Sequence, residues 1–310
     1  MSLTQRATRP VSVVARPPQA GRRAVRKPYW TVAPAVFCLL VLSVYPVIHL
    51  VWLSLHNPTI VPGAAAKFIG LTQYRWILQD AEFLNSIQVT ARFVVSAALL
   101  ELALGLGLAL LLNFEGRLAG LLRMLFLLPT FLAPVVVALS WVLLLNAQFG
   151  LVNYLLDIVG IDKQAWLARP DLAFGALVAA DVWQWTPFMM LLILAGLRSL
   201  PVEPYEAAAI DGASAWRAFW SITVPLVWPV MAVALLIRAL DATKVFGLAL
   251  VLTGGGPGDA TNVLGLYIFR KAFEQNQLEY ASGVAVLLFL ITVTVATFYS
   301  VFLLRSRIGR

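Results

Sequence analysis

Six stretches of the chain are apolar over some twenty or more positions with few charges: roughly 30–55, 88–112, 122–145, 172–196, 226–251 and 281–304. About 20 such residues, rising 1.5 Å each, cross a bilayer's hydrocarbon core as an α-helix. The runs are continuous rather than alternating, which excludes a membrane β-barrel. In lipid each backbone amide must be bonded within its own segment, so the runs predict helices. The expected fold class is an all-α integral membrane protein with six transmembrane helices over residues 29–310. Residues 1–28 precede them as a basic tail, and Pro10, Pro17, Pro18 and Pro28 predict that it is disordered. A cleaved signal peptide fits poorly. The first apolar run is about 25 residues long, against about 7–15 for a signal core, and Ala64-Ala65-Ala66 follows too distantly to be its cleavage site.

Composition agrees. A length of 310 residues would suit about two soluble domains, but 61% of the chain is hydrophobic and 12% charged, where a soluble domain carries about 25% charge. The mean hydropathy is +0.85. The net charge of +8 does not indicate nucleic-acid binding, because seven of the 23 basic residues crowd into the tail, at Arg6, Arg9, Arg16, Arg22, Arg23, Arg26 and Lys27. A basic segment ahead of an apolar helix marks a cytoplasmic end and can touch anionic membrane lipid. With the N-terminus inside, the inner segments also hold Arg117, Arg123, Arg198, Arg217, Arg305, Arg307 and Arg310. The outer segments hold Lys67, Arg75, Lys163, Arg169, Arg270 and Lys271. Fourteen against six places both termini in the cytoplasm.

Catalytic chemistry has little to build on. The single cysteine, Cys38, allows no intramolecular disulfide, and with His49 and His56 it makes no zinc site. The spans contain no paired aspartates, no His-Glu-x-x-His and no Ser/His pair, so no catalytic or metal-binding residue is expected. Gly254-Gly255-Gly256-Pro257-Gly258 lacks the Lys-Ser/Thr ending of a phosphate loop and reads as a turn.

The informative segment is the inner loop at 200–225. Pro204 suits a first helical turn, and Glu206 lies near the positive end of the helix dipole. Ala207, Ala208 and Ala209 favour a helix of little bulk, and Gly212 can end it in a left-handed conformation. Local physics predicts a short, slim helix at the membrane's inner face, either an interfacial connector or a piece that enters a groove on another protein. Glu206-Ala207-Ala208, Asp211-Gly212, Ile222 and Pro225 resemble the EAA signature of the membrane subunits of binding-protein-dependent ABC importers. The form Glu-Ala-Ala-x-x-Asp-Gly-Ala-Ser-x-Trp is similar to the carbohydrate branch. The likeness continues through Trp183 and Thr186-Pro187-Phe188, Leu194-Ala195-Gly196-Leu197, Arg238-Ala239-Leu240-Asp241 with Val245-Phe246, the glycine-rich turn, Tyr267-Ile268-Phe269 and Tyr280-Ala281. Gly247 departs from it, standing where many relatives carry an aspartate.

The resemblance implies a type I importer permease of the maltose, trehalose or glycerol-phosphate type, in the cytoplasmic membrane of a bacterium or archaeon. Such a subunit pairs with a second permease. Two ABC ATPase subunits bind ATP and Mg below, so this chain needs no cofactor of its own. An extracytoplasmic sugar-binding protein or lipoprotein delivers the solute, a di- or oligosaccharide such as trehalose or maltose. Glu206, Ala207, Ala208, Asp211, Gly212, Ile222 and Pro225 would then couple to the ATPase. Alternatives are a permease for glycerol phosphate, a polyol or another solute, and an ion-coupled secondary carrier. The carrier would show inverted repeats and broken helices, and neither is evident in the pattern.

Charges at membrane depth cost at least about 2.5 kcal/mol each on insertion scales. Arg92, Glu101, Asp181, Arg238, Asp241 and Lys244 lie in or near the runs. Arg92 and Asp181 sit where they could reach interfacial water. Arg238, Asp241 and Lys244 are spaced by three, so Asp241 can pair with either base. That cluster faces either a partner permease or a wet cavity. Glu101 has no evident partner. A sugar needs hydrogen-bonding groups and an aromatic face, so the substrate-path candidates are Asn146, Trp183, Gln184, Arg238, Asp241, Lys244 and Phe246. Trp141 and Trp185 fit interfacial anchoring better.

Overall fold

The computed structural model describes residues 32–57 and 67–308, with side chains to 301. The tail and the Ala64–Ala66 run lie outside the described residues. The helices are α1 (Ala33–Leu53), α2 (Thr72–Gln79), α3 (Ala81–Leu111), α4 (Arg117–Leu127), α5 (Pro134–Leu144), α6 (Leu151–Ile158) and α7 (Pro170–Arg198). They continue as α8 (Glu203–Ile210), α9 (Ala215–Ala218), α10 (Val224–Ala242), α11 (Gly247–Leu252), α12 (Leu264–Phe269) and α13 (Leu278–Ile308). No strand occurs among the described residues. The chain divides into two units at Pro46, inside α1. In the first unit the described part is α1 up to that proline. The packing described below is that of the second unit.

The core of the second unit is made by α3, α7 and α10. Asp80 caps α3, its Oδ1 accepting from the Glu82 amide at 2.8 Å. α3 and α7 run side by side in the same direction. Val89 and Phe93 pack with Leu177 and Val178, while Ala109 and Leu112, further along, pack with Ile193 and Leu197. Between these layers a Cβ on Gly105 would stand 2.8 Å from that of Met189, so only glycine permits this approach. α10 runs the opposite way, with Val227 and Met231 in the layer of Leu197 and Arg238 meeting Asp181. α2, α12 and the start of α13 close the far end around Ile77, Phe83, Leu264, Tyr267 and Tyr280. The loops at 112–117 and 198–225 share the other end, where Arg198 donates to the Phe114 carbonyl at 3.2 Å.

Among the described residues five helices are long and apolar enough to cross a membrane, or six if the bent pair α4–α5 is counted as one span. Two of the expected spans are corrected. The third run is not one rod: α4 and α5 meet at 96° through a 3-10 turn at Leu128–Phe131. Pro134 opens α5 and holds Ala133 extended, at φ −64 and ψ 139. A broken helix is therefore present, contrary to the reading of the hydrophobic pattern. The fifth span ends at Ala242, not near 251. α11 is a separate helix whose Leu248, Ala249 and Leu252 are buried in the cluster that holds Val137 and Ala138 of α5. Apolar runs report burial without distinguishing lipid from protein, so the pattern merged α11 with the span before it.

Candidate functional site

A buried ion knot lies where α3, α7 and α10 meet. Arg238 Nε is 2.7 Å from Glu101 Oε2, Nη2 bonds Asp181 Oδ2, and Nη1 lies 3.4 Å from Asp241 Oδ2. Arg238 and Glu101 are 1% and 0% exposed, and Asp181 is buried. The guanidinium also stands 5.2 Å from the centre of the Trp185 ring, within cation–π reach. One buried cation thus serves three helices. These contacts overturn the expectation that Asp181 reaches interfacial water, and they supply, across helices, the partner for Glu101 that was not evident in the sequence. Asp241 pairs with Arg238, not Lys244. Arg92, by contrast, is exposed and donates to Gln88 at 3.5 Å.

Beside the knot opens a recess of roughly 270 Å³ lined by Pro134, Asp181, Gln184, Trp185, Arg238, Asp241, Lys244, Phe246 and Gly247. The break after Ala242 creates it, because the chain turns aside there and α11 leaves along α5. A Cβ on Gly247 would meet nothing nearer than Val135, at 3.8 Å. The absent aspartate therefore leaves room rather than a clash. The lining offers carboxylates, cations, an amide and an indole face, the groups that bind hydroxyls and flat apolar ring faces.

Gln184 is one of its walls and also a splint. Its Nε2 donates to the Leu132 carbonyl at 2.8 Å, and its own carbonyl accepts from Thr130 Oγ1 at 2.9 Å. Both partners lie at the break in the third span, where backbone groups have lost helical partners and must be satisfied by neighbours. Gln184→Leu should therefore destabilise the protein by about 1–3 kcal/mol, read as a lower thermal midpoint of the detergent-solubilised chain. An unchanged midpoint would remove the splint.

Five of the seven substrate-path candidates line this recess: Gln184, Arg238, Asp241, Lys244 and Phe246. The other two do not. Asn146 caps the turn after α5, its Oδ1 accepting from the amides of Gln148 at 2.9 Å and Phe149 at 3.2 Å. Trp183 faces a different recess, of roughly 520 Å³, between α3, α4 and α7. Trp141 packs against it at 6.5 Å between ring centres. Successive residues of α7 point about 100° apart, so Trp183 and Trp185 cannot share a wall. Sequence reasoning missed Glu101, Asp181 and Trp185 as members of the site. The available signal was the rarity of buried charge, which predicts partners on other helices.

The second feature is the loop at the end shared with residues 112–117. α8 has the expected start and stop, with Glu203 and Glu206 in its first turn and Gly212 at φ +69 beyond its end. The Ala213 amide closes it on the Ala208 carbonyl at 2.9 Å. No α8 residue is buried. Val202, Ile210, Trp216 and Trp220 are 63, 87, 71 and 53% exposed, so the loop presents apolar side chains outward around a helix of small residues. Ser214 caps α9, accepting from the Arg217 amide at 3.3 Å. Ile222 is half-buried, and Pro225 lies in the first turn of α10.

At the opposite end Asp80 accepts from the hydroxyls of Tyr267 at 2.7 Å and Tyr280 at 2.8 Å. Burial pushes its carboxyl up, but the two phenols, the Glu82 amide and the Lys271 ammonium together hold it below the usual carboxylate value. Lys271 also reaches Glu82 at 3.0 Å. This cluster ties α3, α12 and α13 together.

Residues 101–310 match the family described as the binding-protein-dependent transport system inner membrane component. The chain belongs to that family, and so is a multi-pass membrane permease of the ABC-importer class. Among its relatives, the trehalose/maltose transport system permease protein of Thermococcus litoralis is 41% identical, over 89% of this chain and 93% of the relative. The sulfoquinovosyl glycerol transport system permease of Agrobacterium fabrum is 34% identical over 86% and 87%. The trehalose transport system permease of Mycobacterium tuberculosis is 34% identical over 85% and 84%. The fold matches a chain of a bacterial ABC transporter that imports alginate, with a TM-score of 0.78, 23% identity and coverage of 89% and 94%.

Proposed function

We propose that this chain is a transmembrane subunit of an ATP-driven sugar importer, with trehalose or maltose as its solute class. It pairs with a second permease, receives the sugar from an extracytoplasmic binding protein, and docks two ATPase subunits through α8 in the cytoplasm. Both termini are then cytoplasmic, as the basic residues demand. ATP and Mg belong to the ATPase subunits.

The observation that carries the reading is the α8 loop. None of the residues of α8 is buried, the helix is slim through Ala207, Ala208 and Ala209, and its glycine stop is left-handed. Small residues flanked by the exposed apolar side chains of Val202, Ile210, Trp216 and Trp220 suit docking against another protein. The recess beside Arg238 supports the sugar. Trp185 offers a ring face, and the exposed Asp241 and Lys244 offer hydrogen-bonding groups. Names of the relatives point the same way. A second reading has one observation behind it: Lys244 is exposed in the recess and joins no ion pair among the described residues. Such a cation favours an anionic solute, such as a glycerol phosphate.

Purification from native membranes through a tag on this chain, followed by ATPase assay with candidate solutes, tests both. Co-recovery of an ATPase and a second permease, with hydrolysis stimulated by trehalose and the binding protein, is the expected result. Stimulation by glycerol phosphate alone would move the solute to the second reading. Recovery of the chain without any ATPase, even after cross-linking at residues 200–225, would sink the importer.

A further inference from the structure

The segment joining α8 to α10 is not a plain helix–turn–helix. Phe219–Thr223 is a π-turn, in which the Val224 amide donates to the Phe219 carbonyl five residues back. Pro225 accounts for it. Proline has no amide hydrogen, and in an α-turn its ring would press on the carbonyl four residues earlier, that of Ser221. Widening the turn relieves that contact. Single π-turns within α-helices concentrate at functional positions.

Inside this turn Thr223 is buried, at 8% exposure, and its Oγ1 lies 3.0 Å from the Tyr205 hydroxyl. Tyr205 belongs to α8 itself, one residue before Glu206. Beyond the turn α10 continues as one helix to Arg238. That is fifteen residues, or about 22 Å of rise. Arg238 is the buried cation holding Glu101 of α3 and Asp181 of α7, and it lines the recess.

We propose that the Tyr205–Thr223 hydroxyl pair, seated in the π-turn that Pro225 imposes, is the joint through which movement of α8 reaches α10 and the recess. Tyr205 and Thr223 are positioning residues for coupling. They touch neither solute nor nucleotide. Their hydrogen bond makes α8 and the foot of α10 move together, where the alternative route runs through the turn at Gly212 and the short α9. The proposal rests on the reading of α8 as the ATPase-docking helix.

The test uses the whole importer in proteoliposomes: this chain, the second permease, the ATPase pair and the binding protein, with trehalose as the probe. The readout is ATP hydrolysed per trehalose imported. Tyr205→Phe and Thr223→Val should each raise that ratio about fivefold, the equivalent of one net hydrogen bond of about 1 kcal/mol. Complex yield should not change. The double variant should be no worse than either single, because both remove one interaction. Thr223→Ser keeps the hydroxyl and should restore the wild-type ratio. Wild-type ratios in both single variants would overturn the joint. So would independent, multiplying effects in the double variant, or a Ser variant as uncoupled as Val. Should the wild-type complex contain no ATPase, the docking role of α8 falls first and takes the joint with it. That result is distinct from an assembled complex with unchanged coupling.

Discussion

Arg238→Met is expected to destabilise the protein by about 3–5 kcal/mol, because removing one partner of a buried ion group leaves uncompensated charge behind. Glu101 and Asp181 would stay buried without the guanidinium that now serves both. The methionine matches much of the volume, so packing loss is secondary. The measurement is the thermal midpoint and yield of the solubilised chain. Two controls separate charge from shape. Glu101→Gln should cost less, since Arg238 keeps Asp181 and Asp241. The triple variant Glu101→Gln, Asp181→Asn, Arg238→Met should be more stable than Arg238→Met alone, because it removes the charges together. If Arg238→Met melts with the wild type, the knot is not an electrostatic tie between α3, α7 and α10.

Gly212→Val is expected to lower sugar uptake by the assembled importer tenfold or more, with the amount of chain in the membrane unchanged. A left-handed backbone costs an ordinary L-residue about 1–2 kcal/mol, and a β-branched side chain is the worst case. Gly212 stands at φ +69, and an added Cβ would meet nothing within 4 Å. The penalty is therefore in the backbone, at the stop of the helix proposed to enter the ATPase. Gly212→Asn is the informative companion, since asparagine tolerates the left-handed region and should retain most uptake. Normal uptake by the valine variant would count against a rigid coupling helix. Equal loss in both would point to steric exclusion by the docked partner rather than to helix geometry.

The two features were unequally legible in the chain. α8 could be read almost residue by residue, because its determinants are local: a proline in the first turn, acids near the dipole's positive end, alanines, and a glycine beyond the end. The knot could not. Glu101, Asp181 and Arg238 are separated by 80 and 57 positions, and nothing in their local neighbourhoods announces that they meet. The i, i+3 spacing allowed Asp241 to pair with Arg238 or with Lys244, and packing decides between them: the helix ends between Asp241 and Lys244, and Asp241 pairs with Arg238. Trp183 and Trp185 show the same limit. Both looked like ring-stacking or interfacial residues, and their separation along the helix sends one to the recess beside Arg238 and the other away from it.

Residue pattern alone settles that the long runs leave water and that those crossing lipid are helices. Long apolar runs can exist only in lipid or in a core, and in lipid their amides close only as helices. It also settles the short loop motifs, whose causes lie within one or two turns. The places where the spans break, and the partners the buried charges take, are settled by packing. Pro129 and Pro134 permit a bend at many angles, and the 96° observed is held by Gln184 from another helix. The fifth run could have continued to 251 as a single span, but burying Leu248, Ala249 and Leu252 in the cluster with α5 sets them on a separate helix and opens the recess. Hydrophobicity is non-directional, so a run of apolar residues fixes that it leaves water and not which surface receives it.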